Sequence, residues 1–185
     1  MKAPKNGSPG AGSANRRSLL FLAKFLALLV ALYALVAWNP VNDAVIVPFT
    51  AAIARVSGFL LNALGEKVSV AGTEIRSGNF GVQIENGCNG VEAALLFGSA
   101  VLAFPAPWRR RLIGLVGGFV AIQLLNFVRV VSLFWIGAHH PALFSSSHTV
   151  LWQSVIVLAS VLLFLFWASR GEKPRAAGTA PDDVA

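Results

Sequence analysis

The sequence predicts an all-α integral membrane helical bundle: four transmembrane helices, one interfacial or re-entrant helix, and a short extracytoplasmic β-hairpin. Three observations predict it. Of the 185 residues, 56% are hydrophobic and 12% charged, more apolar side chain than a soluble fold of this size can cover with polar surface. The apolar residues gather into long runs, and a run of roughly 20 crosses about 30 Å of hydrocarbon. The basic residues stand at the ends of those runs, where positive flanks set membrane orientation.

Taken in order, residues 1–15 and 171–185 read as disordered cytoplasmic tails, and residues 16–170 as a single membrane-embedded domain. The first span runs from Leu19 to Trp38, broken only by Lys24. It is long enough to cross and is followed by no clear cleavage site of the secretory-signal kind. Arg16 and Arg17 hold its start inside. Residues 44–64 are also apolar, but if they crossed, every later helix would invert and Arg109, Arg110 and Arg111 would lie outside. Arg55, Asn62 and Glu66 fall close to one helical face, the pattern of a helix half-inserted in the outer leaflet. Five spans with an external N-terminus is the alternative.

Residues 66–87 switch to period-two spacing. Val68 and Val70 alternate, then Phe80, Val82 and Ile84, with Gly72 and Ser77-Gly78-Asn79 as turn signals, which reads as a hairpin ending at Cys88. Cys88 to Ala106 is a shorter, more polar span running inward to Trp108–Arg111. Leu112 to Ile136 runs outward carrying Gln123, Asn126, Arg129 and Ser132, and Val150 to Ala168 returns to Arg170. Gly114 and Gly118 have the spacing of a close helix contact.

Charge and residue counts exclude several classes. The net charge of +7 sits on helix flanks, not on a soluble face interleaved with aromatics, so nucleic acid is not the partner; the lipid bilayer is. One cysteine excludes an internal disulfide and a cysteine-rich metal site. Three histidines without spaced carboxylates make a poor metal site, and no cofactor is expected.

The intramembrane polar residues then point to one place. Cys88 opens its helix on the outer side. Arg129 lies 17 residues past Leu112, about 25 Å up the helix. His148 precedes the last span, also outside. A thiol at a helix N-terminus favours the thiolate, and a charge within a span costs several kcal/mol unless it has a polar partner. Bland readings stand beside these: a packing cysteine, a snorkelling arginine, a capping or loop histidine. Glu92, four residues after Cys88, and Asn126, three before Arg129, share helix faces with them. Glu92 and Arg129 are expected to pair across the bundle.

Cys88 within Glu85-Asn86-Gly87-Cys88-Asn89-Gly90-Val91-Glu92, Arg129 closing Asn126-Phe127-Val128-Arg129, and His148 before the final span form an ordered set. That set resembles the exosortase/archaeosortase family, most of all the exosortase H type, over residues 75–165. The resemblance implies a cysteine peptidase or transpeptidase of the cell inner membrane, multi-pass, with its active site facing the periplasm. Its substrates would be membrane-anchored exported proteins with a C-terminal tripartite sorting signal, cleaved through an acyl-thioester. It implies Cys88 as nucleophile, Arg129 as proton donor or electrostatic stabiliser, and His148 as base or orienting group. Backbone amides near Asn89 and Gly90 are further oxyanion donors to expect. The other function class is a non-enzymatic membrane assembly or transport subunit with a structural Arg129–Glu92 pair.

Overall fold

The structure is a computed structural model describing residues 11–78 and 80–170, the side chains of 11–14 and 145–149 excepted. The first helix, α1 (Ala11–Ala37), begins inside the segment expected as tail. Residues 11–15 hold no proline, and adding residues to a formed helix costs far less than starting one. The rest of the expected tails, 1–10 and 171–185, lies outside the described residues. After a break at Trp38 comes α2 (Asn39–Ala63). Its stretch Asn42–Ile46 is π-helical: Pro48 has no N–H to give the carbonyl one turn back, and the backbone before it widens.

Strands β1 (Ser69–Ala71), β2 (Glu74–Ser77) and β3 (Phe80–Gln83) follow as an antiparallel sheet in the order β1-β2-β3. The expected hairpin is thus extended by one strand, because Gly72 (φ +60°) and Gly78 (φ +54°) each turn the chain. Ile75 pairs with Val70 on one side and Val82 on the other. The chain ends in α3 (Val91–Ala103), α4 (Trp108–His139), the short α5 (Pro141–Ser146), a π-helical turn (Ser147–Trp152) and α6 (Gln153–Ser169).

Among the described residues four helices are long and apolar enough to cross a membrane: α1, α2, α4 and the last, counted from Val150. The number agrees with expectation but the membership differs. The helix within 88–106 has only 13 residues, about 20 Å at 1.5 Å per residue, against a hydrocarbon core of about 30 Å. Its place among the long helices is taken by α2. The polar face expected on α2 is used locally: Asn62 donates to Val68 O at 3.1 Å and accepts from its N–H at 3.0 Å, tying helix to sheet. The exposed side of α2 is mixed, with Arg55 and Asn62 exposed beside Val56 and Phe59, the last 72% exposed. Even so, α2 keeps to one half of the bundle. Its Phe49 meets Phe119 midway along α4, at 6.1 Å between ring centroids, while Leu61 shares a core cluster with Phe134 near the end of α4.

The short α3 is the axis of the fold, packed against α1, α4 and α6. One core cluster joins Ala93, Phe97 and Val101 of α3 to Ile122 and Ile156. A second joins α2, the sheet and Val130 and Phe134 of α4. The Gly114–Gly118 spacing does mark close contact, but with two different neighbours. Gly118 receives the Phe97 ring of α3 and Gly114 the Trp167 ring of α6, whereas a Cβ at Gly117 would meet nothing within 4 Å. Gly118→Val should therefore lower stability by about 1–3 kcal/mol through overpacking, while Gly117→Val leaves it nearly unchanged. Thermal unfolding of the purified variants in detergent checks the contrast.

Candidate functional site

The chain passes from β3 to α3 through residues 84–90, and this turn carries Cys88. Ile84 N–H bonds to Thr73 O at 2.9 Å, holding the start of the turn to the sheet, and Cys88 N–H bonds to Glu85 O at 3.0 Å. Gly87 (φ +90°) and Gly90 (φ +78°) adopt the left-handed region, which other residues rarely do. At Gly90 space also decides: a Cβ there would lie 2.9 Å from Gln123 Nε2.

Asn89, wholly buried, fastens the turn. Its Oδ1 accepts the Val91 N–H at 3.0 Å and its Nδ2 donates to Thr50 Oγ1 at 2.9 Å. Asn86 Nδ2 donates to Asn42 Oδ1 at 3.0 Å. Two residues of α2 therefore grip the turn. This corrects one expectation. Cys88 precedes the helix instead of opening it, since α3 starts at Val91 with Gly90 as its left-handed cap, so Cys88 and Glu92 do not share a helix face. The side chain of Asn89 is a structural tie.

Arg129 of α4 reaches the turn from the other side. It is 1% exposed. Its Nη1 donates to Gly87 O at 3.2 Å, and its Nη2 to Cys88 Sγ and to Gln153 Oε1 of α6, both at 3.5 Å. One guanidinium thus joins α4, α6 and the Cys88 turn. One turn away on α4, Asn126 lies fully buried, with Gln123 beyond it at 6% exposure. Both lie against Gly90, and the amide atoms of both have no hydrogen-bond partner among the described residues.

The Arg129–Glu92 ion pair expected from sequence does not form. The ion pairs among the described residues are Arg76–Glu74 and His139–Glu66. The left-handed turn inserts the Gly87 carbonyl and Cys88 Sγ where the guanidinium could have met a carboxylate. Glu92 instead lines a cavity of about 100 Å³ with Tyr33, Gly87, Arg129 and Gln153, and its Oε2 has no hydrogen-bond partner there. Cys88 lines a smaller cavity, about 20 Å³, with Ile84, Arg129 and Phe144. Arg129 is the wall shared by both.

His148 falls in the π-helical turn that leads into Gln153; its side chain lies outside those described. His139 is engaged elsewhere, stacked 4.9 Å from Trp135 and 3.7 Å from Glu66. Among the described residues no group of three or more His, Cys, Asp or Glu is placed to hold a metal ion. Thr50, Asn42 and Gln153 carry no sequence signal beyond being polar in or beside apolar runs, and their role comes only from what folds against them.

Electrostatics at the thiol oppose one another. Burial pushes the Cys88 thiol above its ordinary pKa; the Arg129 cation pulls it down, and Glu92 and Glu85 add to the rise. The net direction is upward, which favours the neutral thiol.

A family model described as Transmembrane exosortase (Exosortase_EpsH) matches residues 13–171. No curated protein matches the chain, and no solved structure matches it.

Two expectations follow from this geometry. Alkylation of Cys88 by a small neutral reagent should climb only above the ordinary thiol range, because the thiolate reacts and its pKa is raised. Arg129→Gln, which removes a lowering influence, should move that profile to still higher pH. Mass-spectrometric rates across pH test it, and a profile like that of a free thiol in both forms would contradict it. Separately, Thr50→Val leaves the buried Asn89 amide without its acceptor and should cost about 1–3 kcal/mol in thermal unfolding.

Proposed function

We propose that this chain, which belongs to the transmembrane exosortase family, is a membrane-embedded cysteine peptidase or transpeptidase. In this reading it cleaves C-terminal tripartite sorting signals of exported proteins, with Cys88 as nucleophile. The observation that carries it is the buried Arg129 guanidinium, which donates to Cys88 Sγ and to the neighbouring Gly87 carbonyl. A cation held on the chain's sole thiol is unneeded for packing and apt for acyl transfer. The charge that builds on a carbonyl oxygen in such a reaction needs a fixed donor. An arginine stays charged where a lysine would lose its proton on burial.

The steps are as follows. A base takes the Cys88 proton, and His148, five residues before Gln153 in the turn leading to α6, is our assignment for it. The thiolate attacks the scissile carbonyl carbon, and Arg129 balances the oxyanion. The C–N bond breaks, the leaving amine takes the proton back, and an acyl-thioester remains on Cys88. Attack by an amine or by water then releases the acyl group and restores the thiol. Gln123 and Asn126 supply polar lining beneath the turn. The arginine flanks lie at the opposite end of α4 from the thiol, which supports a site facing the periplasm. The contrasting reading, a structural subunit built on an Arg129–Glu92 pair, has lost its motivating contact.

An in-cell assay tests the proposal. A tagged substrate with a tripartite C-terminal signal is co-expressed with wild type, Cys88→Ser, Arg129→Lys and His148→Ala, with protein levels checked by blot. Cys88→Ser at normal abundance should abolish the cleaved band, Arg129→Lys should reduce it by about 100-fold or more, the scale of losing an oxyanion donor, and His148→Ala should lower it strongly. Cleavage that persists without the thiol would overturn the thioester mechanism.

A further inference from the structure

We propose that the end of the bundle remote from Cys88 holds an anionic phospholipid, in a groove between α4 and α6. The groove measures about 620 Å³, with Arg109, Arg110 and Arg170 along one margin and Ile113, Gly117 and Leu163 among the apolar residues that line the rest. A cationic margin leading into an apolar channel is the shape of a phosphate headgroup followed by an acyl chain.

Two of the three guanidinium groups are held by contacts within the bundle. Arg110 is half-buried, donates to the carbonyls of Trp167 and Ala168 at 2.5 and 3.0 Å, and lies 4.5 Å from the Trp167 ring centroid. Arg170 lies over Phe166, 4.2 Å from its centroid. Arg109 is exposed at the start of α4. No described carboxylate offsets them. The described acidic residues are Asp43, Glu66, Glu74, Glu85 and Glu92, which lie on α2, the sheet, the turns beside it or the first turn of α3. Both ion pairs among the described residues are likewise at the sheet end.

Arginines that merely reach for headgroups need no groove beside them. Here one exists because Gly117 leaves its floor open, while Gly114 on the same helix is covered by Trp167. A phosphate suits the planar donor fork of arginine, and basic pockets between membrane helices recruit anionic lipids through that pairing. A free phosphate would use the margin and not the groove, and the apolar walls therefore favour the lipid.

The test is native mass spectrometry on the full-length, delipidated protein, titrated with phosphatidylglycerol and with phosphatidylcholine of the same chains. Wild type should retain phosphatidylglycerol roughly tenfold or more tightly, as two or three arginines beside a headgroup would give. The double variant Arg109→Gln/Arg170→Gln should lose that preference. Gly117→Trp, which fills the groove, should lose the lipid and still bind glycerol 3-phosphate as weakly as wild type does. Equal retention of the two lipids by wild type overturns the proposal whatever the variants do. Lipid binding unchanged by Gly117→Trp overturns the groove as its seat.

Discussion

A guanidinium enclosed within a membrane bundle is the constraint on which the remaining structure depends. Its charge cannot be left unpaired in a low-dielectric interior without a cost of several kcal/mol. Arg129 answers that demand through Nη1 and Nη2, with a backbone carbonyl, a sulfur and a carboxamide drawn from two different elements, while its Nε has no hydrogen-bond partner among the described residues. To supply the carbonyl, the chain before α3 must turn inward instead of starting the helix early. To supply the carboxamide, α6 must begin at the same depth. The position of Cys88 is thus a consequence of satisfying Arg129 as much as of its own sequence.

The depth of that junction is set by α3. A helix of 13 residues cannot cross alone, and its seat at the centre of the bundle leaves room for the Cys88 turn above it. Aromatic rings pressed onto glycines hold it there, Phe97 on Gly118 above all. The helix that compensates is α2. It contributes Thr50 and Asn42 as anchors to the turn, and its far end carries the sheet through Asn62. Sheet, α2 and turn form one polar-pinned unit over the C-terminal half of α4. Among the described residues the arginine-rich end of the same helix has no such cover, and this is where the groove opens.

Resting chemistry at the thiol is decided by competition. The arginine lowers the thiol's pKa, but enclosure and two carboxylates raise it, and the second group of effects wins. Cys88 is accordingly held toward the neutral thiol. A protonated thiol inside a membrane protein is protected from adventitious oxidation and alkylation, and in the proposed reaction attack depends on a base brought to it.

The sequence by itself determined the membrane class, the convergence of Arg129 with Cys88, and the shared face of Asn126 and Arg129. All of these follow from one-dimensional quantities: run length, charge at the flanks, and the rise and period of a helix. What only the tertiary structure decided depends on contacts between segments far apart in the chain. The Arg129–Glu92 pair was a plausible match of opposite charges, but a left-handed turn at Gly87 and Gly90 put a carbonyl and a sulfur in its place. Thr50, Asn42 and Gln153 look like incidental polar residues until Asn89, Asn86 and Arg129 fold against them. Helix periodicity likewise placed Cys88 on α3, because a pattern of spacing does not reveal where a glycine ends the regular geometry on which that spacing depends.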